Sequence, residues 1–132
     1  MNCCLEFHDS RAGSVTPADG TVSLVFTSAY LHKSDGITGV DAGTGWTQAA
    51  TLEFSSASVA GAHDIGDGWI MDGSLEVNGV QGLSGIPVPF DVSGMVKGTF
   101  GFSNGTVIVI EAARAHLALR GNPTFVETFP PG

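Results

Sequence analysis

The chain has 132 residues, a formal net charge of −8 and a hydrophobic fraction of 42 %, while only 14 % of its residues are charged. That length suits one domain around one core, and the apolar content excludes a disordered chain. With 5 Lys and Arg against 13 Asp and Glu, no basic stripe is present to displace counterions, so nucleic acid and anionic membrane surfaces are not expected as partners.

Near the start, Cys3 and Cys4 are adjacent. They form neither a disulfide framework nor a CxxC metal spacing, which points to reduced thiols in a cytoplasmic protein. No secretory pattern follows Met1, and no apolar run reaches the ~18 residues of a membrane helix. Leu5 to Val15 reads as the first strand, ended by Pro17-Ala18-Asp19-Gly20. Thr21 to Lys33 reads as the second, with Val22, Leu24 and Phe26 on one face. Strands this long are expected to coil rather than stay flat.

Ser34 to Trp46 is the longest irregular stretch, broken by Gly36, Gly39, Gly43 and Gly45. Asp35, Asp41 and Trp46 are candidate ligand contacts there, because an indole beside glycines can stack on a planar or sugar ligand. The alternative is that Trp46 plugs the core. Thr47 to Val59 gives a third strand with Leu52 and Phe54 inward, and Gly61 to Gly68 turns the chain. The Asp64-Ile65-Gly66-Asp67-Gly68 turn lacks the ligand spacing of a calcium loop, so no metal or cofactor is expected. Trp69 to Val77 alternates, with Trp69, Met71, Gly73, Leu75 and Val77 on one face. Gly79 to Pro89 follows as a loop with a short edge strand near Val80.

Phe90 to Phe102 and Thr106 to Leu119 alternate around Asn104-Gly105, a strong hairpin signal that predicts a two-residue type I′ turn. In that register Ser103 faces Thr106, Phe100 faces Val109, Gly98 faces Glu111 and Phe90 faces Leu119. Glu111 is then the one ionisable group on the apolar face. The opposite face carries Asp91, Lys97, Arg114, His116 and Arg120, which read as solvated ion pairs. Glu111 to Arg120 is also rich in helix formers, but the alternation running on from Val107 favours a strand. Gly121-Asn122-Pro123 is expected to stop it, giving a domain over 1–122 and a tail over 123–132. Phe125, Val126 and Phe129 of that tail would pack on the domain or on a second subunit.

Together these elements predict an all-β fold, an antiparallel meander of roughly six to eight long strands closing into a small barrel; a two-sheet β-sandwich is the alternative. Gly73, Gly94 and Gly98 fall on apolar faces, where a missing side chain permits coiling or leaves room for a large neighbour. No nucleotide loop, zinc-protease helix or nucleophile elbow occurs. Two function classes follow. One is a small non-catalytic β module that binds a small ligand or a partner, or self-assembles; the low surface charge favours a homodimer or higher homo-oligomer. The other is an enzyme using general acid–base chemistry at one end of the barrel. Strand parity would there gather Asp9, Arg11, Tyr30 and His32 beside Glu111. His32 and Glu111 would exchange protons, and Arg11, Asp9 and Tyr30 would hold the substrate.

Overall fold

The computed structural model describes every residue except 39, 62, 131 and 132, together with the backbone but not the side chains of 81–83. Gly39 of the expected glycine-rich loop and the last two residues of the expected tail therefore lie outside the described residues. Among the described residues nine strands are present: β1 (Asn2–Ala18), β2 (Thr21–Ser34), β3 (Gly43–Ser55), β4 (Ser58–Ala60), β5 (Ile70–Val77), β6 (Val80–Leu83), β7 (Gly85–Pro87), β8 (Asp91–Phe102) and β9 (Val107–Phe129). They form a single antiparallel sheet in the order β6-β5-β8-β9-β3-β2-β1-β7, with β4 paired to β9. The sheet coils until its two sides almost meet. Along the seam Arg11 of β1 bridges Trp69, Ala12 N–H donates to the Gly68 carbonyl at 2.8 Å and Phe7 N–H donates to the Ser84 carbonyl at 3.1 Å. One sheet closing on itself is a barrel, and the sandwich alternative is not adopted.

The inside is apolar and closely packed. Phe7, Phe26, Phe54, Phe100, Leu24, Leu52, Ile108 and Ile110 are fully buried, and removing a side chain of this size from water contributes about 1.5–3 kcal/mol. The glycines expected to leave room do so at two positions. A Cβ on Gly73 would stand 2.7 Å from Phe7 Cβ, and one on Gly98 would stand 2.8 Å from the Phe100 ring. These gaps let Phe7 and Phe100 meet edge to face, with ring centroids 5.1 Å apart.

The closing hairpin forms around Asn104-Gly105, but one residue out of the expected register. Gly105 takes φ +88°, and no positive φ occurs at Asn104. Phe102 N–H donates to the Thr106 carbonyl and Gly105 N–H donates to the Phe102 carbonyl. Ser103, Asn104 and Gly105 thus form a loop whose last residue alone is left-handed, the three-residue hairpin in place of the two-residue one. Phe100 consequently faces Ile108, Gly98 faces Ile110, and Glu111 faces Lys97. A slip of one residue exchanges the faces of a strand, so Glu111 lies outside and Ile108 and Ile110 line the core.

A second departure organises the rest of the molecule. β1, β2 and β9 all carry extra residues at about the same level of the sheet: β1 between Glu6 and Arg11, β2 between Phe26 and Ala29, β9 between Arg120 and Thr124. In β1 the extra loop is plugged by Ser10, which is fully buried. Its hydroxyl donates to the Glu6 carbonyl and accepts from Tyr30 N–H. In β9, Gln48 of β3 donates its side-chain amide to the Gly121 carbonyl at 2.9 Å. β3 runs straight through this level. The irregularities divide the sheet into a barrel body and an arm. The arm joins the first residues of β1, the end of β2, the start of β3 and the end of β9.

The irregularities also reverse the parity read from the sequence. In β2, Val22, Leu24 and Phe26 face inward in the body, whereas Ala29 and Leu31 face inward in the arm. Tyr30 and His32 therefore lie on the outer face, opposite to the one expected. In β1 the inward residues are Leu5, Phe7, Ser10, Ala12 and Val15, which leaves Asp9 and Arg11 exposed. β5 is shifted likewise by an extra residue between Ile70 and Asp72. Trp69 and Met71, expected inward, are 43 % and 56 % exposed. Gly121-Asn122-Pro123 is a bulge rather than a stop, and Thr124 to Phe129 continue β9 along β3.

Candidate functional site

The outer face of the arm brings together Glu6, Tyr30, His32 and Glu127. The register places Glu6 opposite Tyr30, Tyr30 opposite Thr47, His32 opposite Gly45, and Gly45 opposite Glu127. Tyr30 donates its hydroxyl to Glu127 Oε1. His32 Nδ1 lies 3.4 Å from Glu6 Oε1. The His32 ring packs on Tyr30, with centroids 5.2 Å apart, and on Phe129, 4.3 Å apart. Gly45 makes this arrangement possible, because a Cβ there would lie 2.2 Å from the Tyr30 hydroxyl oxygen and 3.2 Å from Glu127 Cγ. Burial, reinforced by the hydrogen bond and charge of Glu127, pushes the Tyr30 hydroxyl above the ordinary tyrosine range.

Two concavities adjoin this cluster. A groove of about 550 Å3 runs past Tyr30 and Glu127, lined also by His8, Asp9, Trp69, Met71 and Val126. His8 Nδ1 sits 3.3 Å from Asp9 Oδ1, and Asp9 adopts φ +80° in the irregular part of β1. A smaller cleft of about 100 Å3 separates His32 and Phe129 from Val40 and Asp41 of the β2–β3 loop. In that loop the Asp41 carboxylate accepts Ile37 N–H at 2.6 Å, and the Ser34 hydroxyl donates to the Ala42 carbonyl at 2.6 Å. Asp41 thus shapes the loop as well as lining the cleft. Asp35 of the same loop is exposed.

Of the residues singled out in the sequence, Tyr30 and His32 come together on the arm, with Asp9 lining the groove and Asp41 the cleft. Besides Asp35, three others do not join them. Arg11 donates from Nε to the Asp67 carbonyl at 2.7 Å and lies 5.5 Å from the centre of the Trp69 ring. Trp46 is on the opposite face of the arm, its Nε1 donating to Thr44 Oγ1 at 2.7 Å. There Phe125 packs edge-on against it, 5.4 Å away, and Lys33 Nζ lies 4.8 Å from its ring centre. Glu111 faces Lys97 and Ser58 on the body, beyond the Ser55 rung where β3 ends, whereas His32 lies on the Gly45 rung. The expected convergence of Glu111 with His32 is corrected by the hairpin slip and the parity change in β2. The acid beside Tyr30 is Glu127, which sequence reasoning had left in a tail.

A different feature of the arm carries more of its surface. β9 pairs with β8 only as far as His116, and the last bond on that side is Leu117 N–H to the Phe90 carbonyl at 3.0 Å. From Ala118 to Phe129 its other side is paired with β3. Among the described residues nothing pairs with the free side. This edge leaves Leu119, Phe125 and Val126 exposed at 39 %, 52 % and 47 %. Unpaired N–H and C=O groups along an extended strand are a template for another strand. The Asp91, Arg114 and His116 set forms an exposed ion pair on the body, with Arg114 Nη2 2.7 Å from Asp91 Oδ2. The hydrogen bond from Arg114 holds the Asp91 carboxyl below its usual range.

No group of three or more metal-ligating side chains occurs among the described residues, and no described helix is long and apolar enough to cross a membrane. Comparison with protein-family models, with curated proteins and with solved structures finds no match.

Proposed function

We propose that this chain is a non-catalytic β module that works by binding a polypeptide strand along the free edge of β9. The observation that carries this reading is the unpaired stretch from Ala118 to Phe129, exposed throughout most of its length and bearing Phe125 and Val126. Strand addition to such an edge takes its affinity from main-chain hydrogen bonds and its specificity from alternate side chains. Selection from a random peptide library, followed by hydrogen-exchange mapping, tests the reading. Selected peptides should slow exchange at the amides of residues 118–129. Peptides that protect another surface, or a library that yields no binder to dilute, monomeric protein, would overturn it.

A second reading, small-ligand binding, draws support from the groove, where exposed Trp69, Met71 and Val126 flank the Tyr30–Glu127 pair. Its lining includes Asp9 and Glu127 and neither Lys nor Arg, which suits an aromatic amine. Titration with phenethylamine should move the Trp69 indole resonance, and no movement there would remove this reading.

A further inference from the structure

We infer that the strand occupying the β9 edge is the same edge of a second copy, paired antiparallel about a two-fold axis through Thr124; this rests on the strand-binding reading above. Thr124 lies on the Thr47 rung of β3. The free segment extends from the Ala118 rung at Thr51 to the Phe129 rung at Gly43, so Thr124 marks its middle. Arg120, on the Ala49 rung, and Glu127, on the Gly45 rung, stand at equal spacing on either side of it. Both lie on the outer face, as do their rung partners. A two-fold axis at Thr124 therefore sets Arg120 of each copy opposite Glu127 of the other.

The apolar groups follow the same symmetry. Phe125, on the Trp46 rung, meets the bulge around Gln48, where Pro123 of the other copy offers a ring without an N–H. Phe129 meets Ala118. A strand that pairs with its own copy in this way forms an isologous contact, which closes as a dimer instead of propagating into a fibre. An unrelated strand has no reason to match the symmetric placement of the two charges.

Sedimentation equilibrium from micromolar to near-millimolar protein, with hydrogen exchange followed at the same concentrations, tests the inference. A monomer–dimer equilibrium is expected, with exchange at 118–129 slowing as the dimer forms. Arg120→Glu and Glu127→Arg should each weaken dimerisation about ten-fold, since each sets like charges opposite one another twice. The double variant should recover most of the loss. A monomer at every concentration, or a dimer whose β9 amides exchange as fast as in the monomer, overturns the second copy; peptide binding at 118–129 would then still uphold strand addition. A dimer protected at 118–129 but not restored by the double variant overturns the axis at Thr124. Circular dichroism of each variant separates lost pairing from lost folding.

Discussion

Tyr30 is the one tyrosine of the chain, so its ionisation is directly visible in the ultraviolet. Burial and Glu127 both favour the neutral phenol, so the midpoint in the native protein should lie above the ordinary value of about 10. The folded pKa is raised, and the stability it contributes is therefore complete below about pH 10 and lost as the pH rises through the folded value. Glu127→Gln should bring the midpoint down; a native midpoint at the ordinary value would refute the contact. Ser10 gives a second test. It satisfies the Tyr30 N–H and the Glu6 carbonyl from a fully buried position, and Ser10→Ala leaves both without partners. A loss of about 1–3 kcal/mol is expected in urea unfolding. Neither role was legible in the sequence, because Ser10 and Tyr30 acquire theirs from extra residues in β1 and β2 that no local pattern marks.

The closing hairpin shows how far an element can be read. Alternation on both sides of Asn104-Gly105 identified the strands and their turn, and favoured the strand that forms over the helix that Glu111 to Arg120 also suits. The register was not legible, because one Gly-containing dipeptide serves both two-residue and three-residue loops. Gly105→Ala tests the observed turn: placing a side chain at φ +88° should cost about 1–2 kcal/mol, read as a lower denaturation midpoint. β9 itself was underestimated. Pro123 resembles a stop, yet in a bulge it interrupts the ladder only locally. Truncation after Gly121 should raise exchange rates at the β3 amides of Gly43 to Thr47, which lose their β9 neighbour, and leave the β8–β9 hairpin protected. Unchanged exchange in that part of β3 would show that the arm does not depend on β9.

For the whole molecule, the barrel followed from simple evidence: many long alternating strands, little charge, and glycines on apolar faces. Gly73 is the sharpest case, since the barrel closes with Phe7 against its backbone. Gly73→Ala should destabilise by about 1–3 kcal/mol through overpacking, measured by thermal or urea unfolding. The division into body and arm was hidden, because it depends on extra residues falling at the same level in three strands, one of them about 90 residues from the other two. That division explains why the residues of one expected pocket were dispersed. Arg11 stays beside the seam, Glu111 stays on the body, and Tyr30 and His32 turn outward with the arm.

The straight course of β3 between irregular neighbours has a consequence for how the chain tolerates changes in length. β1, β2 and β9 already absorb surplus residues where the arm leaves the body, so one residue inserted beside Asn122 enlarges an existing bulge and leaves the flanking rungs in place. The same insertion after Gln48 has nowhere to go. It would rotate Trp46 away from Phe125 and lift Gly45 from beneath Tyr30, exchanging the two faces of the arm at a single point in the chain.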